Sequence, residues 1–293
     1  MLIFGGYGQV GEAMVATAAA AGRDPSSVVQ LGRQQADIAD PEAVQCVLAE
    51  LQPRVAVNCA VFQPVDRCES EPEAAFAVNA VAVGALAQAC RKAGVRLVHL
   101  STDYVFGGAL RRPYREDDLP APQNVYAASK LAGEHLVLAA SEMHMVVRTS
   151  GVYGKAREGH GTTPFIERML ERARAGQQTR VVADQVISPT NAHDLARGIW
   201  DLIGCGGTGT FHLANRGEVS WFELAVVVFE AVGARQLLRP TTAAEYGAAA
   251  KRPAYTALEN ARLCRLGLED LPPWRDGLAR HFAAYHPDLT PPA

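Results

Sequence analysis

The chain has 293 residues, 48% of them hydrophobic, and a net charge of −3 from 28 Lys and Arg against 31 Asp and Glu. That is enough apolar material for one large α/β domain or two lobes without covalent staples, and the scattered basic residues argue against a nucleic-acid or anionic-membrane surface. Six cysteines without a Cys-x-x-Cys pair argue against zinc and against a disulfide framework, so a reduced, cytoplasmic protein handling a small molecule is expected.

The first strand, LIF, runs into FGGYGQVG and then a helix, GEAMVATAAAA. Gly5, Gly8 and Gly11 thus stand between strand and helix, where missing side chains let the backbone of Gln9 and Val10 approach a pyrophosphate at a helix N-terminus. The alanine-rich stretch superficially resembles a signal-peptide core, but no cation precedes it and glycines interrupt it. No apolar run approaches the roughly 20 residues of a bilayer span.

The second strand, SVVQLG, ends in Leu31, Gly32 and Arg33. An acidic residue there would hold the ribose 2′-hydroxyl of NAD, whereas Arg33 suits a 2′-phosphate, favouring NADPH with NADH left open. Asp37 and Ile38 follow, either to hold and pack an adenine or, for Asp37 or Asp40, to cap the helix PEAVQCVLAEL. After the strand VAVNCA, the small Ala60 lets a ribose lie close, Val61 and Phe62 border it, and Cys59 reads as core. A long helix, AAFAVNAVAVGALAQACRKAG, precedes the strand VRLVHLS, beyond which Thr102 competes with Ser101 to bond a substrate oxygen. Asp103 is either a substrate hydroxyl acceptor or a turn residue.

Tyr126 and Lys130 in VYAASKLAGEHLVL are four residues apart, on one face of a helix. An ammonium beside a phenol is expected to lower its pKa from about 10, which favours proton delivery to a carbonyl oxygen. A strand, MVVRTSGVYG, and a mobile loop, KAREGHGTT, come next. The order is then irregular: a helix TPFIERMLERARAG, a strand RVVAD, a helix AHDLARGIWDLI, a strand TFHLANR and a helix SWFELAVVVFEAVG.

The alternation predicts an α/β fold, a Rossmann-like doubly wound parallel sheet with a smaller C-terminal α+β lobe. The expected division is 1–152 for the dinucleotide half and 153–293 for the substrate half, with the helix near 192–203 returning to the first sheet. Eight histidines show no ligand spacing, and no Gly-x-Ser-x-Gly elbow appears.

With FGGYGQVG, HLSTDYVFGG, PQNVYAASKLAGE, VVRTSGVYG and VVADQVISPTNAHDLA in place, the chain resembles the extended short-chain dehydrogenase/reductases, and among them the dTDP-4-dehydrorhamnose reductase family. The resemblance implies reduction of a nucleotide-diphosphate 4-keto-6-deoxy sugar by NADPH, with Thr102, Tyr126 and Lys130 catalytic. It favours Thr102 over Ser101 and places Thr102, Asp103 and Tyr126 toward the sugar. Cofactor contacts are implied at Gly8, Gln9, Val10, Asp37, Ile38 and Ala60 to Phe62. Gly151 departs from the family's tryptophan, which weakens the identity of the sugar. Glu12 and Ala13 stand where some members carry metal-binding glutamates, so no metal is carried over, and a homodimer is left open. Two rivals remain: a sugar-nucleotide epimerase retaining NAD, and a non-catalytic dinucleotide-binding regulatory subunit.

Overall fold

The computed structural model describes residues 1–159 and 163–289. Through the first half, strands and helices alternate: β1 (Leu2–Phe4), α1 (Gln9–Thr17), β2 (Val29–Leu31), α2 (Pro41–Leu51), β3 (Val55–Asn58), α3 (Val65–Ser70), α4 (Pro72–Phe76), α5 (Val83–Lys92), β4 (Arg96–Thr102), α6 (Val125–Ala140) and β5 (Met145–Thr149). Asp40 settles one alternative from the sequence, because its Oδ1 accepts the Glu42 and Ala43 N–H groups at 3.0 and 3.1 Å and so caps α2. Asn124 caps α6 in the same way, through Ala127 N–H at 2.8 Å.

The second half contains β6 (Val152–Tyr153), α7 (Phe165–Arg174), β7 (Thr179–Val182), β8 (Val186–Ile187), β9 (Thr190–Asn191), α8 (Ala192–Gly204), β10 (Gly209–His212), β11 (Val219–Ser220), α9 (Trp221–Ala231), β12 (Leu238–Thr241), α10 (Ala243–Tyr246), α11 (Ala261–Arg265) and α12 (Trp274–Tyr285). The expected loop KAREGHGTT falls in part, at 160–162, outside the described residues.

Six parallel strands form the main sheet in the order β10-β5-β4-β3-β1-β2. Chain order reverses between β1 and β3, so a crevice opens at their carboxyl ends, where the FGGYGQVG turn and the Ala60 segment lie. Apolar side chains cover both faces. Ile3, Val57, Val98 and Val147 pack on one side with Ala13 and Met14 of α1, while Leu2, Ala56, Leu97 and Val146 pack on the other with Val83 and Leu86 of α5.

Several elements beyond residue 152 return to the main sheet, with Leu263 of α11 and Leu271 packed in the same cluster as Ile3 and Met14. Helix α8 sends Leu195, Ile199 and Trp200 into the cluster containing Met14, and Trp200 Nε1 donates to the Met14 carbonyl at 3.2 Å. Strand β10 then pairs with β5 as the sixth strand, although TFHLANR reads from sequence as part of the smaller lobe. Helices α7, α9 and α12 with strands β7, β11 and β12 build that lobe around Ile166, Leu170, Leu224, Val228, Phe229 and Phe282, with β12 beside β7.

The continuous helix Pro72–Lys92 has a mean hydropathy of 1.4 over its most apolar window, and so meets the length and composition of a bilayer span that the sequence reading found nowhere. Here it covers the sheet, with Val83, Leu86, Ala87 and Cys90 in the core. A π turn at Ala77–Ala82 interrupts its regular winding.

Candidate active site

A groove of about 1740 Å³ follows the carboxyl ends of the strands and continues between the two lobes. All the residues singled out from the sequence line it except Gly11: Gly5, Gly8, Gln9, Val10, Arg33, Asp37, Ile38, Ala60, Val61, Phe62, Thr102, Asp103, Tyr126 and Lys130.

The glycines divide the work. Gly5 has a φ of +65°, and a Cβ there would stand 2.7 Å from Ala60 N. At Gly11 it would lie 2.1 Å from the Gly6 carbonyl oxygen, so this position serves the packing of α1 on the glycine turn that follows β1. At Gly8 the protein itself leaves room, the nearest atom being Gly5 O at 3.4 Å. A side chain would fill the cradle there. Gly8 is also the N-cap of α1, and no side chain satisfies the helix's first N–H groups. Gln9 Oε1 and Thr149 Oγ1, both on the groove wall, are buried without hydrogen-bond partners among the described residues. Open helix donors, a missing Cβ and two orphaned oxygens fit a dinucleotide with its pyrophosphate at the α1 N-terminus.

At the far rim, Arg33 is 86% exposed and its Nε pairs with Asp37 Oδ2 at 2.8 Å. Burial alone would raise the Asp37 carboxyl, but the Ala39 N–H and Arg33 hold it below the usual range. Ile38 is buried beside it. Glu12, where no metal was carried over, pairs with Arg157 at 3.2 Å.

A buried residue that holds the groove wall, Asn79, was missed from sequence. Asn79 projects from the π turn, where its Oδ1 accepts the Phe62 N–H at 2.8 Å and its Nδ2 donates to Phe62 O at 3.2 Å and Ser129 Oγ at 3.0 Å. It fixes the groove wall to the residue next to Lys130. Helix α6 comes close enough that a Cβ on Gly133 would meet Asn79 O at 2.2 Å. The available signal was an asparagine inside the apolar run AVNAVAV, since a buried amide needs partners.

Strand alternation separates Ser101 from Thr102. The Ser101 hydroxyl donates to Glu134 Oε1 at 2.5 Å, inside a buried pair in which Arg148 Nη2 reaches Glu134 Oε2 at 2.7 Å. It is therefore committed elsewhere. Thr102 donates to Asp103 Oδ1 at 3.0 Å, accepts the Tyr104 N–H at 3.1 Å, and acts on the Tyr126 phenol through its hydroxyl. Asp103 is buried, and its Oδ2 accepts from Ser150 at 2.8 Å and Thr256 at 2.5 Å. Burial raises this carboxyl to about 6, against the pull of the three hydroxyls. Its oxygens are thus occupied by the protein, which makes Asp103 a support for Thr102 as well as a groove residue.

The electrostatic expectation for Tyr126 needs correction. Burial and the nearby Asp103 push its phenol above the ordinary tyrosine range, with Thr102 opposing. The Lys130 amine is engaged by β4: Nζ donates to the Leu100 carbonyl at 2.6 Å and lies 3.1 Å from His99 Nε2. Burial lowers Lys130 to about 8. His99 also touches Asn58; of the two, Asn58 is expected from the sequence to border a bound ribose at the end of its strand, and His99 is not.

At Gly151 the φ is +52°, and a Cβ would stand 2.7 Å from Ile187 Cδ1 and 3.7 Å from the Trp221 ring. The space beside it is already filled. Away from the groove, Glu167 accepts from His281 at 2.8 Å and His286 at 3.1 Å, a trio the spacing did not reveal. The buried Nδ1 of His281 has no partner among the described residues, so the ring lacks there the outer acceptor typical of a metal ligand, and the trio reads as a clasp between α7 and α12.

The family model described as RmlD substrate binding domain matches residues 1–286. A dTDP-4-dehydrorhamnose reductase of Mycobacterium tuberculosis is 42% identical over 97% of this chain and 92% of its own. The spore coat polysaccharide biosynthesis protein SpsK of Bacillus subtilis is 35% identical over 96% of each. Among solved structures, dTDP-4-dehydrorhamnose reductase from Bacillus anthracis in complex with NADP superposes with a TM-score of 0.90 at 35% identity, covering 97% of this chain and 98% of that one. A Thermus thermophilus UDP-glucose 4-epimerase with NAD, at 22% identity and a TM-score of 0.82 over 97% and 99%, shares the fold. The chain belongs to the RmlD substrate binding domain family, that of the dTDP-4-dehydrorhamnose reductases.

Proposed function

We propose that this protein reduces the C4 carbonyl of a dTDP-linked 4-keto-6-deoxy sugar at the expense of NADPH, the substrate being dTDP-4-dehydrorhamnose. The observation that carries the reading is the single groove joining the Gly8 cradle and α1 N-terminus at one end to Thr102 and Tyr126 at the other. Gly8, Gln9, Val10, Arg33, Asp37, Ile38 and Ala60 to Phe62 would hold the cofactor, which when bound supplies a hydride.

The remaining steps belong to the chain. Thr102 turns its one hydroxyl hydrogen from Asp103 Oδ1, which accepts it in the free protein, to the carbonyl oxygen and orients it. Tyr126 delivers the proton to that oxygen. Because its pKa is raised, the phenol is protonated at neutral pH, which is the state needed for carbonyl reduction. Lys130 stands one turn further along α6, within reach of the ribose side of the groove.

Tyr126→Phe removes the proton and little else. Turnover followed by loss of reduced-nicotinamide absorbance should fall by about 10² to 10⁴, with NADPH affinity within about threefold of wild type. Unchanged turnover would remove Tyr126 from the mechanism. Consumption of one NADPH per sugar separates a reductase from an epimerase that returns its hydride.

A further inference from the structure

Asn58 and His99 form a buried chain behind Lys130 whose protons can be counted. The Asn58 amide orientation is set by Ala60, whose N–H donates to Oδ1 at 3.0 Å. Its Nδ2 therefore faces His99 Nδ1, 3.1 Å away, as a donor. His99 is fully buried, and burial together with Lys130 keeps it well below the ordinary histidine range, so the ring is neutral. A neutral ring that accepts at Nδ1 carries its hydrogen on Nε2. That N–H points at Lys130 Nζ, 3.1 Å away, which can accept only with a free lone pair. One of the two remaining amine hydrogens goes to Leu100 O at 2.6 Å.

An ammonium at Lys130 breaks this pattern. It would need Nε2 as acceptor, which moves the ring hydrogen to Nδ1 and sets it against the Asn58 amide hydrogens. Turning the amide over would then set its NH2 against the Ala60 N–H. Either way one buried hydrogen bond is lost. The other groups facing Lys130 do not compensate. Glu134 is engaged by Arg148 and Ser101, Cys59 is held as a neutral thiol by burial, and Tyr126 keeps its proton.

We infer that Asn58 and His99 are positioning residues that select the free-base amine of Lys130 in the cofactor-free protein, its proton passing to solvent as the His99 ring settles with hydrogen on Nε2. Relevance to turnover rests on the reductase reading, but the inference concerns the protein without ligands and is tested there.

Two-bond ¹H–¹⁵N correlation spectra of the cofactor-free protein, with the His99 ring assigned by its loss in His99→Gln, report the tautomer directly. The Lys130 side-chain carbon and nitrogen shifts, assigned with Lys130→Met, report the amine. The expected result is a change to the Nε2–H form at the same pH at which Lys130 loses its proton, at least about one unit below an ordinary lysine. Asn58→Asp gives Nδ1–H an acceptor while keeping one for Ala60. It should hold the ring in the Nδ1–H form and raise the Lys130 midpoint by at least tenfold in proton concentration. An Nδ1–H ring in the wild type throughout about pH 6 to 10, or equal Lys130 midpoints in wild type and Asn58→Asp, overturns the inference. The wild-type spectra decide the tautomer even if the variant does not fold.

Discussion

Substituting Gly8 and Gly11 separately by alanine distinguishes a glycine kept for a ligand from one kept for packing. In Gly11→Ala the new methyl lies 2.1, 2.5 and 2.6 Å from the O, C and Cα of Gly6, all backbone atoms that cannot rotate aside. Overpacking of this kind costs about 1–3 kcal/mol, or roughly 2–12 °C in Tm at about 2–4 °C per kcal/mol for a chain of this size. In Gly8→Ala the nearest contact is an ordinary 3.4 Å, and φ −77°, ψ 175° suits alanine. Loss of a favourable N-cap, about 0.5–1 kcal/mol, is offset by about 0.4–1 kcal/mol from a stiffer unfolded chain. Stability should therefore stay within about 2 °C. The methyl would instead occupy the cradle in front of α1. Displacing one charge-assisted hydrogen bond to a phosphate costs about 1.5–3 kcal/mol, a tenfold to 150-fold weaker Kd. Calorimetric titration with NADPH and thermal melts, run on both variants, check the pair. Wild-type affinity in Gly8→Ala would refute the cradle, and an unchanged Tm in Gly11→Ala would refute the packing argument.

Arg33→Ala should erode the preference for NADPH over NADH by about tenfold, since it removes one charge-assisted contact to a 2′-phosphate; comparing Kd for the two cofactors checks this, and an unchanged ratio would detach Arg33 from the 2′ position. Thr102→Val should lower kcat by about ten- to a hundredfold through loss of one polarising donor, whereas Ser101→Ala should leave kcat nearly intact and lower Tm by exposing Glu134 to an incomplete network. Equal kinetic damage from the two variants would contradict their assignment to opposite faces of β4. Asp103, raised to about 6 from 3.8, favours folding when protonated. Its contribution is therefore fully present below about pH 4 and lost as pH rises through about 6, up to about 3 kcal/mol. Asp103→Asn should flatten this part of the stability profile in urea denaturation at a series of pH values, and a profile identical to wild type would rule it out.

The glycine turn, the alternating strands and the Tyr126–Lys130 spacing were legible because each is local: a few adjacent residues fix a turn or a helical face. Thr102 and Ser101 could have been separated by strand alternation alone. Where the side chains point was not legible. Lys130 of helix α6 meets His99 and Leu100 of strand β4, and Asn79 reaches Phe62 across seventeen positions; such contacts follow from packing rather than pattern. The placement of TFHLANR failed for a related reason. A short run buried in a parallel sheet looks the same whichever sheet receives it.

The late arrival of β10 has a consequence for dissection of the molecule. Excising the first 152 residues would leave β5 with a bare ladder of amide and carbonyl groups and strip Ala13 and Met14 of the α8 cover they share with Trp200. An uncapped flank of that kind templates association with other copies, so the severed half is bound for insoluble material, and the enzyme must be engineered as a whole.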